Sequence, residues 1–275
     1  EYGAAELAAI GGQPPAVAED DLDPAMVAIS ARLPAYWAMC AELARRHRVY
    51  LLSGSGPFRT HEAWVNRAVF FGPDTYRFAN AIRCHLDNHR GEIRRAVDIG
   101  CGSGAGAVLV ALARPQAEVL AVDINPAALR LTRLNAALAG AENLQALHSD
   151  LLGETAGAFD LILANPPYLV DPGERTYRHG GGPLGAGLSL AIVDAALARL
   201  APGGTLLLYT GVAMLDNADP FLAAVRERLE GRDFSWRYRE MDPDVFGEEL
   251  LEGAYTACDR IAAVVLEVTR PLADG

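Results

Sequence analysis

From residue 91 onward, short apolar runs alternate with stretches in which apolar residues recur every three or four positions. The runs cover residues 96–99, 118–123, 144–148 and 159–164, then one ending at Tyr209, and segments near 234–241 and 260–269. Most are short and aliphatic, as expected of strands buried on both faces. The intervening stretches, 105–113, 126–139, 188–200 and 219–229, predict helices. Asn125 and Pro126 supply an N-cap and a first-turn proline, and Gly140 a stop. Alternation of this kind predicts an α/β fold: a doubly wound, mostly parallel seven-stranded sheet with helices on both faces.

Upstream the pattern changes. Residues 1–24 are rich in Ala, Gly, Pro and acids and predict a flexible tail. Residues 25–90 predict a small helical region, with Pro34 dividing its first helices and a turn at 53–57. Its last helix is expected from Tyr76 to about His89, capped by Thr75 and carrying Phe78, Ile82 and Leu86. The remainder, 91–275, forms the sheet domain.

Charge sharpens this division. The net charge of −11 is the sum of −6 over residues 1–25, +6 over 26–95 and −11 over 96–275. A local basic surface attracts an acidic partner even when the whole chain is acidic. The four cysteines, Cys40, Cys84, Cys101 and Cys258, have no paired spacing, so neither a disulfide framework nor a metal site is expected. With neither a secretion signal nor a membrane span in the sequence, the expected location is cytoplasmic.

Candidate chemistry sits at the ends of the first four strands. Asp98-Ile-Gly100-Cys-Gly102-Ser-Gly104 joins a strand to a helix start, where glycines admit a ligand close to the backbone and free N–H groups face it. Gly100-x-Gly102-x-x-Ala105 also fits the looser dinucleotide fingerprint, with Asp123 nineteen positions beyond Gly104. Asp150 ends the third strand, and Asn165-Pro166-Pro167-Tyr168 ends the fourth. Two prolines cannot continue a central strand, so the chain turns out of the sheet there. The Asn165 side chain and the Pro166 carbonyl offer two acceptors for one NH₂ group, and Tyr168 offers a flat face to a planar amide or base. Residues 169–187 read as a mobile Gly-, Pro- and Arg-containing loop beside the strand end, in which Tyr177 and His179 are candidate substrate contacts and a solvated loop is the preferred reading.

This ordered set resembles the class I S-adenosylmethionine-dependent methyltransferases. More narrowly, residues 70–270 resemble their small-domain group, which includes the HemK/PrmC glutamine methyltransferases and the adenine or guanine amino-methyltransferases. The resemblance implies S-adenosylmethionine as cofactor, held by Asp98, Gly100, Gly102, Gly104, Asp123, Ile124, Asp150, Leu151 and Asn165. Asn165, Pro166 and Tyr168 would orient the acceptor nitrogen. It implies a macromolecular substrate recognised through residues 25–90, either an acidic protein such as a release factor or ribosomal RNA. Protein glutamine is favoured narrowly over a nucleic-acid base amine, with a small molecule third and a nicotinamide dehydrogenase a remote alternative that gives Asn165-Pro-Pro-Tyr168 no role. One element departs from the HemK/PrmC pattern. Phe71-Gly-Pro-Asp-Thr-Tyr76 stands where an Arg-Pro-Glu-Thr-Glu-like element is usual.

Overall fold

The structure is a computed structural model that describes residues 72–272, apart from 90, 172, 174–177 and 252. The chain divides into compact units of residues 1–46 and 47–275, and all described residues belong to the second. The tail, the first helices, the turn at 53–57 and Tyr177 lie outside the described residues.

Strands β1 (Arg95–Ile99), β2 (Glu118–Asp123), β3 (Leu144–His148), β4 (Phe159–Ala164), β5 (Leu200–Met214), β6 (Ser235–Asp242) and β7 (Arg260–Thr269) form one sheet in the order β3-β2-β1-β4-β5-β7-β6. The pairs from β3 through β5 are parallel, whereas β7 runs antiparallel to both β5 and β6. Successive side chains of a strand point to opposite faces, and the core divides accordingly. Leu161 and Leu163 of β4 join one apolar layer, and Ile162 and Ala164 the other.

Helices α1 (Pro73–Asn88), α2 (Ala105–Ala113) and α3 (Pro126–Ala139) cover the first face. Helices α4 (Gly187–Arg199) and α5 (Pro220–Leu229) cover the second. In α1 the buried residues Phe78, Ala81, Ile82 and Leu86 recur at helical spacing. Each large side chain among them contributes about 1.5–3 kcal/mol by leaving water.

Helix α1 begins three residues earlier than Thr75 and Tyr76 suggest. Pro73 occupies its first turn, where its fixed φ favours entry, and Gly72 precedes it in extended backbone. Thr75 is therefore inside the helix, its Oγ1 accepting the Gly72 N–H at 3.3 Å. Strand β5 also runs beyond Tyr209 to Met214, because β7 pairs with it along that whole length.

The fold brings the carboxyl ends of β1, β2, β3 and β4 to one edge, where parallel α/β sheets present a crevice.

Candidate active site

At that edge the structure encloses a cleft of about 570 Å³. One wall is the glycine turn. Gly100, Gly102 and Gly104 all have positive φ, of 66°, 55° and 82°, the left-handed region that disfavours side chains. The turn is fastened from both sides. Gly100 and Cys101 donate to the Val122 carbonyl, and Gly102 N–H donates to Asp123 Oδ2 at 3.0 Å. Thr132 Oγ1 donates to the Gly102 carbonyl and Asn135 Nδ2 to the Ser103 carbonyl. A Cβ on Gly100 would meet nothing within 4 Å, so the backbone there borders open space.

Asp123 ends β2 with both oxygens engaged, because Oδ1 accepts the Asn125 N–H at 2.8 Å while Oδ2 holds Gly102. The Ile124 N–H is also directed at this carboxylate, which keeps capacity for a further donor such as a ligand hydroxyl. Burial raises the Asp123 pKa, an effect opposed by its backbone donors and by His148. Ile124 is 49% exposed and lines the cleft, a large apolar surface available to a flat ligand. Asp150 and Leu151 form the next wall, with Leu151 at a positive φ of 48°.

Not every expected cofactor residue reaches the cleft. Asp98 is 2% exposed and lies behind the turn, where its Oδ2 accepts the Ala107 N–H at 2.9 Å. Its pKa is pushed up to about 7, first by burial and further by the nearby Asp123 charge. Gly104 is also buried, and a Cβ there would come within 2.8 Å of the Thr132 side chain. Both residues shape the turn from outside the cavity, and neither lines it.

Asn165, Pro166, Pro167 and Tyr168 line the same cleft. Asn165 is half-buried, whereas Tyr168 is 6% exposed. The Tyr168 ring lies on the bare backbone of Gly211, where a Cβ would sit 2.1 Å from its Cε2, and meets Phe246 edge-on at 5.9 Å. The expected open face of Tyr168 is thus largely covered. Its hydroxyl donates to Asp74 Oδ2 at 2.6 Å, and that of Tyr209 to Asp74 Oδ1 at 2.7 Å. Burial, together with the Asp74 charge, holds both phenols well above the usual tyrosine range, so both remain donors.

The sequence reading missed Asp74, Thr75, Arg178 and Phe246, all of which line the cleft. For Asp74 and Thr75 a signal existed, since they occupy the element that departs from the HemK/PrmC pattern. Phe246 carried none. The expected loop at 169–187 is, over residues 178–187, packed tightly against the chain leaving Tyr168. Leu169 N–H donates to the Arg178 carbonyl and Gly180 N–H to the Leu169 carbonyl, so this segment pairs with the chain leaving Tyr168. A Cβ on Gly180 would fall 2.7 Å from the Tyr168 Cα and 2.8 Å from the Pro167 carbonyl oxygen. Only glycine admits that approach. Among the described residues there is no group of His, Cys, Asp and Glu able to hold a metal, and no helix long and apolar enough to cross a membrane.

Comparison with known proteins agrees with this geometry. Residues 78–214 match the family described as methyltransferase small domain. The chain is 39% identical over 171 residues to a release factor glutamine methyltransferase of Deinococcus radiodurans, covering 58% of this chain and 57% of the relative. It is 33% identical over 226 residues to a release factor glutamine methyltransferase of Xylella fastidiosa, covering 74% of this chain and 80% of the relative. The fold is shared with the tRNA m1G37 methyltransferase of M. jannaschii, at 18% identity and a TM-score of 0.50 over 74% of this chain and 52% of that one. The cleft at the strand ends and these relatives lead to one conclusion: the chain is a methyltransferase and belongs to the small-domain group of the class I S-adenosylmethionine-dependent enzymes.

Proposed function

We propose that the cleft binds S-adenosylmethionine and that its methyl group goes to the side-chain amide nitrogen of a protein glutamine. The observation that carries this reading is the Asn165–Pro166 turn lining the same cleft as the glycine turn, at the ends of the neighbouring strands β4 and β1. The relatives named for release factor glutamine methylation support the choice of acceptor.

The residues present suit that cofactor. Asp123 has lone pairs left for ribose hydroxyls, exposed Ile124 offers an apolar face to the adenine, and the glycine turn leaves room for the methionine portion. Asp150 and Leu151 line the same cleft, which supports assigning them to the adenine edge. S-adenosylmethionine would supply a methyl group on a positively charged sulfur; its transfer to the amide nitrogen would leave a neutral thioether that keeps the C–S electron pair, with one amide proton released to solvent.

An amide nitrogen is a poor nucleophile because its lone pair is shared with the carbonyl. Asn165 Oδ1 and the Pro166 carbonyl accept its two hydrogens, fixing the nitrogen's orientation and turning its lone pair towards the methyl carbon. Positioning of this kind is worth up to ~7–11 kcal/mol in well-oriented reactions. It requires no nucleophilic side chain.

The +6 charge of residues 26–95 supports an acidic macromolecular partner met in the cytoplasm, with residues 25–90 serving as its recognition region. A bacterial release factor fits this description, and so does ribosomal RNA. The test incubates the enzyme with methyl-labelled S-adenosylmethionine and lysate from a strain lacking the enzyme, followed by nuclease or protease. Label retained in a discrete protein band after nuclease is the expected result. Label lost to nuclease would move the acceptor to a base amine.

A further inference from the structure

The grip of Asn165 and Pro166 uses both hydrogens of the acceptor amide but leaves its carbonyl oxygen unserved. A buried carbonyl without a donor is costly, so a site built for an amide needs an N–H or O–H facing that oxygen. The donors of this wall are few. The Tyr168 hydroxyl is committed to Asp74. The Arg178 guanidinium is held between Asp171 and Glu249. Among the side chains of this wall, those of Thr75, His179 and Asn165 itself, through Nδ2, remain.

The protonation pattern of His179 is fixed by its backbone neighbour. The Asp171 N–H, which can only donate, points at His179 Nδ1 at 3.1 Å. Nδ1 is therefore the acceptor nitrogen, and the proton of the neutral ring sits on Nε2 at the opposite edge. His179 is half-buried and lines the cleft, and its backbone forms a bridge with Leu169, the residue after Tyr168. The close backbone approach at Gly180 holds this bridge in register. An Nε2–H donor is thus set beside the acceptor turn.

Resting on the glutamine reading above, we propose that His179 is a specificity residue whose Nε2–H donates to the carbonyl oxygen of the acceptor amide. The bond selects O=C–NH₂ over an amine that lacks the oxygen. Donation to that oxygen does not activate the nitrogen, so the residue acts on recognition and its loss appears mainly in KM.

Paired substitutions separate this role from support of the loop. Asn at 179 places an oxygen where Nδ1 was and keeps the Asp171 bond, but it does not reach the substrate. Gln at 179 extends an N–H donor to the Nε2 position. Methylation of a purified bacterial release factor is measured for wild type, His179→Asn, His179→Gln and Thr75→Val, with S-adenosylmethionine binding followed by calorimetry. The expected result is a KM about tenfold or more higher in His179→Asn, largely recovered in His179→Gln, with cofactor affinity unchanged in both. Wild-type KM in His179→Asn, or the KM defect appearing in Thr75→Val instead, would overturn the assignment while leaving the glutamine reading intact. A wild-type enzyme that does not methylate the release factor would overturn both.

Discussion

The Tyr168 hydroxyl donates to Asp74 Oδ2 at 2.6 Å, joining residues 94 positions apart and tying the turn after β4 to the first turn of α1. The same carboxylate receives the Tyr209 hydroxyl and pairs with Arg77 at 3.1 Å. One acid thus holds both tyrosines at the back of the acceptor wall. Asp74→Ala leaves two buried hydroxyls without their acceptor and is expected to destabilise the fold by about 2–4 kcal/mol. Thermal unfolding checks the loss. Turnover should fall more steeply than cofactor affinity, because the residues released belong to the acceptor side.

Gly211 gives Tyr168 its place. A Cβ 2.1 Å from the ring cannot be tolerated without moving it, so Gly211→Ala should reduce both stability and methyl transfer. Adding Tyr168→Leu in the same chain should recover stability but not turnover. Equal melting temperatures for wild type and Gly211→Ala would show that the ring is free to move.

Asp98 makes stability depend on pH in a defined direction. Its folded pKa is raised to about 7, above that of an unfolded Asp, by burial and by Asp123. The folded state therefore holds the proton over a range in which the unfolded chain has released it. The contribution is fully present below about pH 4 and is lost as pH rises through about 7. Asp98→Asn keeps an oxygen for the Ala107 N–H and cannot ionise. The variant should gain on wild type between about pH 4 and 7, by up to about 4 kcal/mol. Denaturant unfolding at pH 5 and pH 8 measures the difference, and a constant difference would contradict a buried, titrating Asp98.

On the cofactor side, Asp123→Ala removes the charged acceptor left for ribose hydroxyls and also frees Gly102. S-adenosylmethionine and its demethylated product should both bind more weakly by roughly 1.5–3 kcal/mol in calorimetry. Unchanged affinity would place the ribose elsewhere.

What could be read in advance follows the range of the interactions. The strands from 96 to 164, the glycine turn and the cap at Asn125 are local patterns, and the structure has them where the sequence put them. The start of α1 was displaced because Thr75 and Pro73 both signal a helix start and the proline prevails. The resemblance offered Asp98 and Gly104 as cofactor-holding residues, but the packing of Ala107 and Thr132 against them sets both behind the cleft. The covered face of Tyr168 arises from Gly211 and Phe246, which are distant in sequence and carry no local mark. His179 was noticed as a residue near the strand end. Its tautomer depends on the Asp171 backbone, which composition does not reveal.

The central claim is that Asn165 at the end of β4 orients an amide nitrogen for methylation. Its most direct test is peptide mass spectrometry of a purified bacterial release factor after incubation with S-adenosylmethionine and either wild type or Asn165→Ala. The account predicts one added methyl on a glutamine side chain with wild type and almost none with the variant, whose S-adenosylmethionine affinity stays close to wild type. Wild-type methylation of that glutamine by Asn165→Ala would contradict it.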